Sequence, residues 1–187
     1  MLNYIILGMI FDCTASGYDI KKYIEKGIGI FYKASYGSIY PTLKKLTEDG
    51  LVTVTKEEQG ARQKKLYTIT AEGQQIFLKW LSEPISPEEG NGNNSHLARV
   101  YFYDKLPYET VKQQLLDYEL NNTTYLRKLL LLKDNFQSPD IQGKYYYKIS
   151  TLYYGIAILQ ETIRWCQFIR GREPFENFLN KGGLNNE

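Results

Sequence analysis

The chain has 187 residues, 43% hydrophobic and 24% charged, with a formal net charge of +2. That length accommodates one domain or two small ones with a sizeable core, and so small a charge excludes a protein held to nucleic acid by bulk electrostatics alone. A single histidine excludes a multi-histidine metal site, and Cys13 and Cys166 form neither a CxxC pair nor a metal spacing, so no metal or other cofactor is expected.

Both thiols read as buried and reduced, as in a cytoplasmic protein. The run Leu2–Phe11 is apolar but has no basic flank, and Asp12 interrupts it. It is expected to be neither a leader nor a membrane span, and no membrane partner is expected. Leu2, Ile5, Ile6 and Met9 share one helical face, which predicts a first helix over 2–12. Ser16 with Asp19 three residues on makes a capping box for a second helix from Gly17, with Ile20 and Ile24 inward and Lys21, Lys22 and Lys26 outward. Residues 27–34 read as a turn.

Ser35 is an N-cap and Gly50 a left-handed stop, which bracket a helix over 35–49. Ile39, Leu43 and Leu46 form its buried face. Gly37, Ser38, Pro41, Lys44, Lys45 and Glu48 form the opposite one, with Tyr36 and Tyr40 on the flank. Small residues let a helix sink into a groove, and lysines meet phosphates. Pro41 should kink the helix unless it lies close to the start. Period-2 strands follow at 51–55 and 65–70, with a polar loop at 56–64 that carries Gly60, Arg62 and Lys64. A helix ending in Gly, a strand, a basic loop and a returning strand make a winged helix-turn-helix. Its second helix enters the major groove and its wing, 51–70, reaches the flanking backbone. The candidate DNA contacts are Tyr18, Lys21, Ser35, Gly37, Ser38, Tyr40, Pro41, Lys44, Arg62 and Lys64.

Gly37-Ser-Ile-Tyr-Pro-Thr-Leu43, the Leu46 and Glu48-Asp-Gly-Leu51 that follow, Gly60-Ala-Arg62 and Lys65-Leu-Tyr-Thr-Ile-Thr-Ala-Glu-Gly73 resemble the PadR-type transcriptional regulators. The motif resemblance covers roughly residues 1–82. It implies a homodimeric bacterial DNA-binding protein, usually a repressor and in some relatives an activator, with an N-terminal winged helix and a C-terminal helical dimerisation domain. Some members of the family sense small aromatic molecules.

After the wing, Thr70 caps a helix to about Leu81. Residues 83–94, rich in Pro, Gly and Asn, read as a linker between a winged-helix domain at 1–82 and a helical domain at 95–187. Residues 1–82 carry 11 basic side chains against 8 acidic, and residues 83–187 carry 12 against 13, a mild basic bias on the DNA-binding side. Within the second half a short helix is expected over 95–104. A long one follows from Leu106 with a seam at Val111, Leu115, Tyr118, Asn122, Tyr125, Leu129, Leu132 and Phe136. The last helix repeats that spacing at Tyr145, Ile149, Leu152, Ile156, Leu159, Ile163 and Cys166. Two such helices make an antiparallel hairpin, and one hairpin alone leaves an apolar stripe uncovered, so a homodimer is expected. Ile149, Leu152, Ile156, Leu159, Ile163 and Cys166 are the candidate dimerisation residues. Tyr153, Tyr154 and Trp165 are the candidate pocket for a small aromatic effector. The fold class is mainly α with a small β-hairpin wing. The expected partners are double-stranded DNA bearing an inverted-repeat operator and a second copy of the chain. No nucleophile elbow or P-loop is present, so no enzyme is expected. A winged helix serving only protein–protein contact is the competing reading.

Overall fold

The computed structural model describes residues 1–59, 62–85 and 95–180. The chain divides into two compact units, Met1–Tyr108 and Glu109–Glu187.

In the first unit, helix α1 (Leu2–Met9) buries Ile5, Ile6, Leu7 and Gly8. A two-residue strand β1 (Ala15–Ser16) leads directly into α2 (Gly17–Lys26). The expected capping box is present: Ser16 Oγ accepts from Asp19 N at 3.2 Å, and the Asp19 carboxylate accepts from Ser16 N at 3.2 Å. Helix α3 (Tyr36–Glu48) is capped by Ser35 and runs through Pro41. It ends as the sequence predicts. Gly50 has φ +73, Leu51 N donates to Leu46 O at 2.9 Å and Gly50 N to Thr47 O at 3.1 Å, the paired bonds of a Schellman stop. Ile39, Leu43 and Leu46 are buried, so the inward face of α3 is the expected one.

Strands β2 (Val52–Gln59) and β3 (Arg62–Ile69) pair antiparallel from Val52↔Ile69 out to Gln59↔Arg62. Much of the segment 56–64, expected as a loop, is therefore strand. Its polar composition hides a ladder in which Glu57 faces Lys64, an opposite-charge pair that suits adjacent strands. β1 adds to the other edge of β3, giving the order β1-β3-β2. Helix α4 (Ala71–Ser82) starts at Thr70, whose hydroxyl accepts from Gly73 N at 3.0 Å and donates to Gly50 O at 2.9 Å. A Cβ at Gly73 would stand 2.2 Å from the Leu51 carbonyl oxygen. The end of α3, the root of the wing and the start of α4 are thus one tightly packed junction, which sets the direction in which the wing leaves.

The first unit extends beyond the expected boundary at Ser82. Helix α5 (Ser95–Val100) and a 3-10 turn (Tyr103–Lys105) belong to it. Arg99, 3% exposed, donates to the carbonyls of Trp80 and Glu83, both at 2.7 Å, and its guanidinium lies over the Trp80 ring. Phe102 meets Phe77 edge-on and occupies the space above Gly8, where a Cβ would be 2.7 Å from its ring. The expected linker 83–94 lies mostly outside the described residues.

In the second unit, α6 (Tyr108–Asp134), which begins at the last residue of the first, is followed by α7 (Pro139–Lys144), α8 (Tyr146–Gly171) and α9 (Glu176–Asn180). α6 and α8 form the expected antiparallel hairpin. Glu119 pairs with Arg170 at 2.6 Å and accepts from Gln167 at 2.6 Å. Further along, Leu129 Cδ1 would lie 3.5 Å from a Cβ at Gly155, and Lys133 sits over the Tyr153 ring. After α8 the chain reverses at Arg172 (φ 50), and Phe175 and Phe178 return onto Phe168. Among the described residues no helix is long and apolar enough to cross a membrane.

Candidate nucleic-acid interface

The outward side of α3 carries Tyr36, Gly37, Tyr40, Pro41, Lys44 and Lys45, all exposed. Ser35 is exposed too, and Ser38 is half-buried because its hydroxyl works in the cap. Ser38 Oγ accepts from Ser35 N at 3.1 Å and donates to Ser35 O at 2.9 Å. Thr42 donates to Ser38 O at 2.7 Å, next to the backbone bond that Pro41 cannot make.

A groove of about 480 Å³ runs between the start of α2, the side of α3 and strand β3. Ser16, Gly17, Tyr18, Tyr40, Gln63, Lys64, Lys65 and Tyr67 line it. It brings together Tyr18, Tyr40 and Lys64 of the expected contacts and adds Gln63, Lys65 and Tyr67. Tyr67 is mostly buried, and burial followed by the neighbouring Tyr40 raises its hydroxyl above the usual tyrosine value. The hydroxyl end of the Tyr40 side chain lies against the first residue of α2: a Cβ on Gly17 would be 2.8 Å from Tyr40 Cε1 and 3.1 Å from its hydroxyl. The groove thus offers phenolic hydroxyls and two ammonium groups at the N-terminal end of a helix, chemistry that suits a phosphate.

The cations are not idle. Lys64 Nζ stands 3.2 Å from the Asp19 carboxylate, Lys21 Nζ 2.8 Å from Glu25 and Lys44 Nζ 3.7 Å from Glu48. Lys21 also lies 4.4 Å over the Tyr36 ring, and Lys22 4.6 Å over the Tyr18 ring. The hydroxyl of Ser16, and after it the ammonium of Lys64, hold the Asp19 carboxyl below the usual carboxylate range. Arg62 opens β3 opposite Gln59, but its side chain lies outside the described residues. Tyr36, Lys22 and Lys65 were not among the sequence candidates. The one signal for Tyr36 was its place four residues before Tyr40, and the two rings are stacked with centroids 6.1 Å apart.

In the second unit the placement of several candidates differs from expectation. Ile149, Ile156 and Cys166 are buried within the single chain, and Leu152, Leu159 and Ile163 are half-buried, so the regular seam of α8 is largely spent inside its own unit. The Cys166 thiol is pushed up to about 12, chiefly by burial and then by Glu119. Cys13, expected buried, is exposed. The large apolar groups left open on α8 are Tyr146, Tyr147, Tyr153, Tyr154 and Ile158, with Leu120, Tyr125, Leu130, Leu131 and Leu132 on α6. Tyr153 and Tyr154 are exposed and Trp165 is half-buried, eleven residues after Tyr154 on the same edge. Eleven residues are three turns, about 16 Å, so these aromatics do not converge on one pocket within α8.

A capped helix pair, a small antiparallel hairpin and a following helix locked to the hairpin's root define a winged helix-turn-helix, with an exposed aromatic and cationic face on its second helix. Residues 6–79 match the transcriptional regulator PadR-like family. The chain is 35% identical over 148 residues to the negative transcriptional regulator PadR of Bacillus subtilis, spanning 78% of this chain and 73% of that protein. It is also similar to solved structures of Bacillus subtilis PadR. The one in complex with operator DNA is 29% identical, covers 91% of this chain and 98% of that one, and has a TM-score of 0.45. The one in complex with p-coumaric acid is 29% identical, covers 91% and 97%, and has a TM-score of 0.41. The chain belongs to the PadR-like family of transcriptional regulators, a DNA-binding and non-enzymatic family.

Proposed function

We propose that the chain is a homodimeric repressor that sets α3 into the major groove of an inverted-repeat operator and lays the wing along the adjacent backbone. The observation that carries this reading is the exposed face of α3, small at Gly37 and Pro41 and cationic at Lys44 and Lys45, beside the groove that holds Tyr18, Tyr40, Lys64 and Lys65. Tyr40 and Lys44 read or flank base edges. Tyr18, Lys21, Arg62 and Lys64 meet phosphates. Repression is favoured over activation by the 35% identical relative, whose name is that of a negative regulator.

The dimer surface lies off the seam, on the Tyr147, Tyr154 and Ile158 edge of α8 with Leu130 and Leu131 of α6. An open apolar set of this size marks an interaction site, and a second copy with the same edge would cover it around a two-fold axis. Tyr154 and Trp165 would line one effector pocket only where a partner helix crosses between them. The test is to sequence genomic DNA fragments retained by the full chain. An inverted repeat common to the retained fragments is expected; retention without sequence preference would overturn the reading.

A further inference from the structure

The geometry points to Tyr36 as a positioning residue of the DNA interface. We propose that its ring holds the Lys21 ammonium in place for a phosphate while itself touching no DNA. This rests on the DNA-binding reading above.

Three contacts carry it. Lys21 projects from α2 and its ammonium lies 4.4 Å above the Tyr36 ring. That ring, on the first residue of α3, stacks on Tyr40 with an interplanar angle of 22°. Tyr40 in turn covers Gly17 at the start of α2. The two rings therefore tie α2 to α3 at two points one turn apart, in the N-terminal half of each helix, while Ile20, Ile24, Ile39 and Leu43 are buried. Glu25 holds the same ammonium at 2.8 Å, so Lys21 is fixed between a carboxylate and a ring face. The side chain is still 23% exposed, enough for an ammonium with three donors to add a phosphate oxygen.

A free lysine loses considerable rotamer freedom when it binds. One already fixed over an aromatic ring has lost part of that freedom beforehand, and a cation–π contact at an exposed site is worth roughly two- to fivefold in an equilibrium constant. Tyr36 is 40% exposed, so its replacement leaves the core untouched.

The test uses the full chain and a mixed-sequence duplex about three helical turns long, titrated over a range of salt. Tyr36→Leu should weaken binding about two- to fivefold with the salt slope unchanged, since Lys21 still reaches its phosphate. Tyr36→Phe should bind as wild type. Lys21→Ala should weaken binding and lower the slope by about one. In the Lys21→Ala background, Tyr36→Leu should have no further effect, and Tyr36→Gln serves as a second replacement with a polar side chain. Loss in Tyr36→Phe equal to that in Tyr36→Leu would overturn the proposal, because the hydroxyl would then be the contact. So would an equal cost of Tyr36→Leu with and without Lys21. If wild-type binding shows no dependence on salt, the DNA-binding reading itself falls, and the proposal with it.

Discussion

Replacing Gly17 by alanine tests whether the Tyr40 ring is held where the interface needs it. The added methyl would lie 2.8 Å from Tyr40 Cε1, 3.0 Å from Cζ and 3.1 Å from the hydroxyl, well inside van der Waals contact. The atoms in the way belong to a side chain that is 47% exposed, so the ring swings outward and the backbone stays. Moving the ring off its preferred rotamer costs about 0.5–1.5 kcal/mol. Exchanging glycine for alanine where φ is not positive returns about 0.4–1 kcal/mol through the unfolded chain. The two nearly cancel, and thermal unfolding followed by circular dichroism should place Gly17→Ala within a few degrees of wild type. DNA binding should not be spared. A hydrogen bond to an uncharged partner is worth about 0.5–1.5 kcal/mol net, so displacing the Tyr40 hydroxyl from a base edge weakens binding roughly twofold to tenfold. Tyr40→Phe should lose a similar amount by a different route. Anisotropy titration of a retained genomic fragment reads both. A Gly17→Ala chain that unfolds near the wild-type temperature and binds with wild-type affinity would refute the role given to Tyr40.

The remaining expectations concern charge and assembly. The Asp19 carboxyl is held low in the folded chain, so its pairing with Ser16 and Lys64 contributes stability above the ordinary carboxylate range, lost as pH falls through the lower folded value. Wild type should therefore lose more thermal stability than Asp19→Asn as pH drops below about 4, and parallel losses would remove Asp19 from the account. Arg62→Ala with Lys64→Ala should weaken binding to all sequences alike and lower the salt slope by up to about two; an unchanged slope would take the wing off the DNA. Ile158→Asp should give a folded monomer by sedimentation, because Ile158 is open in the single chain and an unpaired charge would be buried only in the dimer. Ile156→Asp should instead unfold the second unit, and a dimeric Ile158→Asp would place the interface elsewhere.

What the sequence made legible was mostly local chemistry. Ser16 with Asp19, Ser35, Gly50 and Thr70 mark helix ends through bonds that span a few residues, and each stands where its spacing predicts. What stayed hidden was settled at long range. β1 is two residues long, too short for any period, and exists because Ala15 and Ser16 find Tyr67 and Leu66. The outer part of the wing, 56–64, reads as a loop because its run of charged and polar residues gives no apolar alternation, although it pairs in register out to Gln59↔Arg62. Asp19 and Lys64 are far apart in sequence, so the partner that holds the wing lysine had no signal. On α8 the periodicity marked a buried stripe, but periodicity does not say what covers it. The covering at Ile149, Ile156 and Cys166 comes from within the chain, which shifts the proposed dimer edge to Tyr154 and Ile158.

The most direct test of the central claim is a hydroxyl-radical footprint of the full chain on a genomic fragment that it retains. The account predicts two protected half-sites related by two-fold symmetry, with centres about one helical turn apart, ~34–36 Å, or a multiple of that. It also predicts that protection fades in both halves together when Tyr40 is replaced by Phe and Lys44 by Ala. A single asymmetric footprint, or protection that survives the loss of both side chains, would contradict it.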